Sequence, residues 1–241
     1  MRKIVRSVAA IALCACTLTT IAQQVPKPKT VVKTKTKTIV KTKVDPTINN
    51  TQSSATAERV IMPMGIMGHL PTVDMKLPNP GGADVRIGDM IGANGLLIMF
   101  SCNTCPFVRK AEAHTSDIIS YAQAKGVGMI IVNSNEATRS GDDSPEQMVH
   151  YMKEHKYTVP YVIDPGSHFA DMLGATHTPE VFLFNKAGNL VYQGAIEDNP
   201  SDPSQSQRFY VKEAIDSLLV NKFSAPPMNR SIGCSIKRIK S

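Results

Sequence analysis

An uncharged run of strand length, Gly95-Leu-Leu-Ile-Met-Phe-Ser101, passes without a break into Cys102-Asn103-Thr104-Cys105-Pro106. A continuous apolar run of that length reads as a central strand buried on both faces. Beyond it the period changes. Val108, Ala111, Ile118, Ile119 and Ala122 recur at helical spacing, with Arg109, Lys110, Glu112 and Asp117 on other faces. The pattern predicts a helix from near Cys102 to Lys125, ended by Gly126. The cysteine pair thus falls where a buried strand becomes a helix. Orphan N–H groups and the helix dipole there are expected to stabilise an anion at Cys102. Cys102 is expected to be exposed and to attack, with Cys105 one turn further in, shielded and resolving.

Other readings of the pair fare less well on the residues. A structural zinc site needs a second ligand pair, and His150 and His155 at i, i+5 are a poor one. Two inert buried thiols would have no reason to favour a helix start. A Cu(I) site using Cys102, Cys105 and a histidine is chemically sound, because soft thiolates suit that ion.

The remaining elements alternate. Val127 to Val132 is a second buried strand, and Ser144-Pro145-Glu146-Gln147 is a capped helix start leading to about Lys156. Tyr161 to Ile163 is a short strand, and Ser167 to Leu173 a short helix stopped by Gly174. Val181 to Phe184 and Leu190 to Gln193 flank the turn residues 185–189 as a hairpin. Val211, Ala214, Ile215, Leu218 and Leu219 mark a last helix. The order predicts an α/β fold, a mixed central sheet with helices on both faces.

The ends differ from this middle. Arg2, Lys3 and Arg6 precede the uncharged stretch Val8 to Ala22, which reads as an export signal cleaved after Ala22, with lipid attachment at Cys16 as an alternative. Residues 23–58 are Lys/Thr-rich and polar, a solvated linker or a segment that adheres to anionic envelope surfaces. The net charge of +7 belongs to this end: residues 1–58 carry 10 Lys and Arg against 2 acids, and residues 59–241 carry 17 against 18. The expected domain at 59–224 therefore has no charge surplus for a nucleic-acid backbone, and membrane contact is confined to the N-terminus. Residues 225–241 form a polar tail. It contains Cys234, the third cysteine of the mature chain beside Cys102 and Cys105, and an odd count argues against a pure disulfide scaffold.

Thr178-Pro179 stands before the hairpin, where proline is either a plain strand start or a cis kink. His177 could face the cysteines as a proton shuttle or be a loop histidine. Glu180 could orient a substrate or be a solvated strand-edge acid. The order of elements, the CxxC at the strand-to-helix junction and Thr178-Pro179 before a hairpin and final helix resemble the thioredoxin superfamily. The runs FSCNTCPFV, ATHTPEVFLFNKAGNLVYQGAIEDN and SIGCSIK are similar to its redoxin (alkyl hydroperoxide reductase/thiol-specific antioxidant-like) branch, in particular to peroxiredoxin-like proteins, over about residues 63–240. The resemblance implies a thioredoxin-like fold, Cys102 as nucleophile, Cys105 as resolving thiol and Pro179 as a cis-proline. It also implies that Thr178 backbone groups pair with an extended substrate by strand addition, and it places Cys234 in a tail that can return to the active face as a third thiol, a free or intermolecular thiol being the other reading.

The chain departs from those relatives in three places. Ser101 stands where thioredoxins carry Trp, and the chain has no Trp. Residues 95–100 hold no carboxylate to relay a proton. The peroxidatic pattern P-x-x-x-T-x-x-C is missing, since counting back from Cys105 gives Cys102 and Ile98, and from Cys102 gives Met99 and Gly95. The expected function is an exported, periplasmic thiol–disulfide oxidoreductase. Its partners would be protein or small-molecule disulfides and a dithiol electron donor, with no organic cofactor, metal or nucleic acid. The alternatives are an atypical thiol peroxidase, a copper-binding assembly protein and a redox-dead binding module. Residues 224–233 contain Pro226-Pro227 and have the reach to cross one face of the domain. Cys234 is therefore expected near the domain, able to bridge to Cys102 when Cys105 is replaced by Ser.

Overall fold

The computed structural model describes residues 64–65, 68–71, 73–221 and 227–239. The expected signal with Cys14 and Cys16, the linker at 23–58 and the start of the tail lie outside the described residues. Every element below belongs to the unit of residues 54–241.

Two short strands, β1 (Lys76–Leu77) and β2 (Val85–Arg86), pair antiparallel ahead of the main sheet. That sheet has β3 (Gly95–Ser101) at its centre, with all seven residues buried. Helices α1 (Pro106–Lys110) and α2 (Glu112–Ala124) lead to β4 (Val127–Asn133), and α3 (Pro145–Glu154) leads to β5 (Tyr161–Ile163). After α4 (His168–Leu173) come β6 (His177–Thr178), β7 (Glu180–Asn185), β8 (Leu190–Gly194), α5 (Tyr210–Leu219) and β9 (Cys234–Ser235). The strand order is β5-β4-β3-β7-β8. β4 runs parallel to β3 and β5, and β7 antiparallel to β3 and β8, so the expected mixed α/β sheet is present.

Because strand side chains alternate, β3 feeds two cores. Leu97 and Met99 pack with Ile118, Ile119, Val211 and Ile215 from α2 and α5. Leu96, Ile98 and Phe100 pack with Phe169 and Leu173 from α4. The sheet is covered on both faces, which is why its central strands carry no polar alternation.

The long helix expected from Cys102 differs in two respects. It begins at Pro106, with Cys105 extended at φ −68°, ψ 122°. A residue before proline is pushed out of the helical region by the proline ring, so the helix cannot start earlier. It also breaks at Ala111, φ −88°, ψ 5°, into α1 and α2. The third helix starts as expected, Ser144 accepting a hydrogen bond from the Gln147 N–H at 3.3 Å. The strands β6 and β9 have no counterpart in the sequence reading. Each is two residues long, too short for a periodic signal.

Candidate functional site

β3 ends at Ser101, and the chain then turns through Cys102-Asn103-Thr104-Cys105 before Pro106 opens α1. This turn is clamped. Asn103 donates its backbone N–H to Asp143 Oδ1 at 2.9 Å and its side-chain amide to Asp142 O at 2.8 Å. Its Oδ1 accepts from the Tyr161 hydroxyl at 2.9 Å, and its carbonyl from Arg109 Nε at 3.0 Å. Asp143 is fully buried and collects three more donors: Asn133 Nδ2 at 2.8 Å, Asn135 Nδ2 at 3.1 Å and Thr138 Oγ1 at 2.7 Å. The sequence reading missed this carboxylate. A signal was present in Asn133-Ser134-Asn135, a polar triplet ending a buried strand, which requires partners inside the fold.

Cys102 and Cys105 are both buried, 1% and 2% exposed, so the expectation of an exposed Cys102 beside a shielded Cys105 is corrected. The two sulfurs share one cluster with Val108. Both converge on Thr178, with Cys102 Sγ 3.4 Å from its hydroxyl and Cys105 Sγ 3.1 Å from its carbonyl oxygen. The Thr178–Pro179 peptide is cis, as the resemblance implied.

Each thiol acts on the titration of the other. The mutual hydrogen bond is the largest influence on both thiols and drives their titrations apart, raising Cys102 and lowering Cys105. Burial and the Asp143 carboxylate add to the rise at Cys102. Cys105 is lowered further by the Cys234 thiol and by the backbone N–H groups of Val108 and Cys234. Against these donors stands burial, which raises Cys105.

Cys234 does return to the active face. It packs against Cys102, Cys105 and Val108. Its strand β9 pairs antiparallel with β6, Cys234 opposite Thr178 and Ser235 opposite His177. The approach is so close that a Cβ on Gly233 would lie 2.1 Å from the Thr178 carbonyl oxygen, a position only glycine can occupy. Beyond β9 the tail is held by Ile236 N–H to Thr176 O at 3.0 Å, Lys237 N–H to Asn135 Oδ1 at 2.8 Å and Arg238 Nε to Asp171 Oδ1 at 2.9 Å. The backbone edge of Thr178, expected to be free for a substrate, is therefore occupied by the chain's own tail.

His177 does not turn to the cysteines; its Nδ1 hydrogen-bonds the Thr176 hydroxyl at 2.8 Å. Glu180 is 4% exposed, which corrects the solvated-acid reading. One of its oxygens accepts from the Thr176 and His177 N–H groups at 2.8 and 3.1 Å, and the other from Gln193 Nε2 at 3.3 Å. It thereby fixes the loop that presents Thr178 and Pro179. Glu180→Ala leaves one buried and two part-buried donors without an acceptor and is expected to cost about 2–3 kcal/mol. Glu180→Gln keeps one oxygen on the loop and turns an amide toward Gln193, whose Oε1 has no hydrogen-bond partner. That variant should cost about 1 kcal/mol. Denaturant unfolding checks both values.

The family model for Redoxin matches residues 68–208. Among solved structures, the chain is similar to an uncharacterized conserved protein from Geobacillus kaustophilus, with 31% identity and a TM-score of 0.66, covering 74% of this chain and 94% of that one. A hypothetical protein from Sinorhizobium meliloti 1021 is 26% identical with a TM-score of 0.66, covering 73% and 96% of the two chains. A putative thiol:disulfide interchange protein DsbE from Chlorobium tepidum is 18% identical with a TM-score of 0.49, covering 66% and 97%. The search of curated proteins gave no match.

Proposed function

The chain belongs to the redoxin family, with a thioredoxin-like fold, and we propose that it is a thiol–disulfide oxidoreductase working through Cys102 and Cys105. The observation that carries the reading is the meeting of two buried, hydrogen-bonded sulfurs at the Thr178–Pro179 edge. With β9 docked, Cys105 donates to the Thr178 carbonyl oxygen and Cys234 covers the Thr178 edge. When a substrate displaces β9, that edge and the cysteine pair are uncovered. The Thr178 hydroxyl, 3.5 Å from Cys234 O in the docked state, is then free to donate to a Cys102 thiolate.

In the reductive direction that thiolate attacks a substrate disulfide, one substrate sulfur leaves as a thiolate, and Cys102 is joined to the other. Cys105 then attacks Cys102, releasing the reduced substrate and closing the Cys102–Cys105 disulfide. The two electrons come back from a dithiol donor, and no organic cofactor is required. The substrates are protein or small-molecule disulfides presented to the edge that β9 covers. Arg2, Lys3, Arg6 and the apolar stretch to Ala22 support export, where such disulfides are found.

The test is stoichiometry. Reduced protein mixed with excess of a small linear disulfide should release one disulfide's worth of thiol per chain and continue only when a dithiol is supplied. Peroxide in place of the disulfide should be consumed far more slowly. Faster consumption of peroxide would replace this reading with a thiol peroxidase.

A further inference from the structure

The third sulfur of the cluster, Cys234, takes no part in the reaction just described. Cys102 and Cys105 are buried, whereas Cys234 is half-buried, so it is the sulfur of the cluster nearest to solvent. Its thiol hydrogen-bonds Cys105, and both are held at the same residue: Cys105 Sγ lies 3.1 Å from Thr178 O, and Cys234 is the strand partner of Thr178. Glycine at 233 permits that approach, and residues 236–238 anchor the strand from the other side. This is a placed thiol rather than a loose tail cysteine.

We propose that Cys234 is a third redox thiol, which takes over the disulfide from Cys102 and carries it to the surface as Cys105–Cys234. The proposal rests on the dithiol reading of Cys102 and Cys105. After substrate turnover has closed Cys102–Cys105, β9 returns to β6. The Cys234 thiolate attacks the Cys105 sulfur. The Cys105–Cys234 bond forms, the Cys102–Cys105 bond breaks, and Cys102 leaves as a thiolate that takes up the proton Cys234 gave away. The step is an isomerisation: no electrons enter or leave, and no further oxidant is needed.

The resting thiol of Cys234 is pushed up to about 11, by partial burial first and then by the hydrogen bond and charge of Cys105. In the Cys102–Cys105 disulfide the charge on Cys105 is gone, so part of that restraint is lifted when the attack is due. Lys237 acts on the same thiol in the favourable direction. The product has β9 covalently fixed over the Thr178 edge, so an oxidised molecule cannot engage a second substrate. The reducing dithiol then meets the disulfide through the half-buried Cys234 sulfur instead of the buried pair.

Bond mapping of the full chain tests this. Reduced wild-type protein is given one equivalent of a small disulfide, quenched in acid, alkylated and digested. The expected result is a Cys105–Cys234 cross-linked peptide alongside Cys102–Cys105. Oxidised Cys102→Ser protein should give the Cys105–Cys234 bond at a rate independent of protein concentration. Finding only Cys102–Cys105 in wild type, with Cys234 free or bridged between molecules in Cys102→Ser, overturns the proposal and leaves the dithiol reading standing. A Cys234→Ser protein that fails to form Cys102–Cys105 overturns the dithiol reading, and the relay with it. The wild-type arm needs no substitution, so misfolding of a variant cannot decide the outcome.

Discussion

Replacing Cys105 by Ser is expected to stop disulfide exchange halfway, and replacing Cys102 by Ser to reduce it to background. Both substitutions suit their sites. A serine at 105 can donate to the Thr178 carbonyl oxygen, now 3.1 Å from the sulfur. A serine at 102 retains the Thr104 N–H and the Thr178 hydroxyl as partners. The stability cost is therefore small, about 1 kcal/mol in each case, and a lost rate reports on chemistry. Without Cys105 the first attack still occurs, but nothing resolves the bond between Cys102 and the substrate. The variant should accumulate one covalent substrate fragment per chain, read as a mass increase that a dithiol removes. Cys234→Ser is included in both variants, so the neighbouring third thiol cannot substitute for the missing one. An adduct on Cys105 in the Cys102→Ser protein, with none on Cys102 in the other, would exchange the two roles.

The parts of this molecule readable from sequence are those that repeat. β3 and β4 announce themselves as apolar runs because the sheet is covered on both faces, and α5 by its 3.6-residue period because only one face is covered. The capped start of α3 depends on Ser144, Pro145 and Gln147 alone, and is local. The cysteine pair, Thr178 and Pro179 were found because their residue types carry their chemistry wherever they stand. What escaped was long-range. Asp143 looks like any loop acid until β4 brings Asn133 and Asn135 to it. Glu180 looks like an edge acid until the preceding loop folds back onto its carboxylate. The pairing of β6 with β9 joins residues 56 positions apart, with no periodicity to betray it.

The misplaced helix start in the sequence reading has the same origin. The spacing of Val108, Ala111, Ile118, Ile119 and Ala122 could not show which residue opens the helix. Pro106 decides it, by keeping Cys105 extended and out of the first turn. The docked tail covers the Thr178 edge beside the cysteines, so an extended substrate can pair there only when β9 leaves.

Asp143→Asn should be among the most destabilising single-residue changes near the site, although it alters no shape. Each carboxylate oxygen accepts from two donors, Asn103 N–H and Asn133 Nδ2 on one, Asn135 Nδ2 and Thr138 Oγ1 on the other. An asparagine amide must turn its own N–H groups toward one of these pairs. With the amide turned toward Asn135 and Thr138, the Thr138 hydroxyl can accept it and donate to Asn135 O, so the Asn135 amide is the buried donor left without an acceptor. At about 1.5–3 kcal/mol for a hydrogen bond to a charged group, the expected loss is about 2–3 kcal/mol. Glu180→Gln costs less because Gln193 Oε1 has no partner and can receive the new donor, whereas at Asp143 the Asn135 amide is left unpaired. The same substitution removes a negative charge that opposes ionisation of Cys102, an influence smaller than the Cys105 hydrogen bond and burial but of the same sign. Cys102 should therefore ionise at lower pH in the variant. Measured with Cys105 and Cys234 both replaced by Ser, so that Cys102 is the one thiol left among the described residues, the midpoint of its alkylation rate should move down in pH on Asp143→Asn. Urea unfolding at pH 7 reads the stability loss separately. A midpoint that moves up, or a stability unchanged within 1 kcal/mol, would mean that Asp143 neither holds the Cys102–Cys105 turn nor acts on its charge.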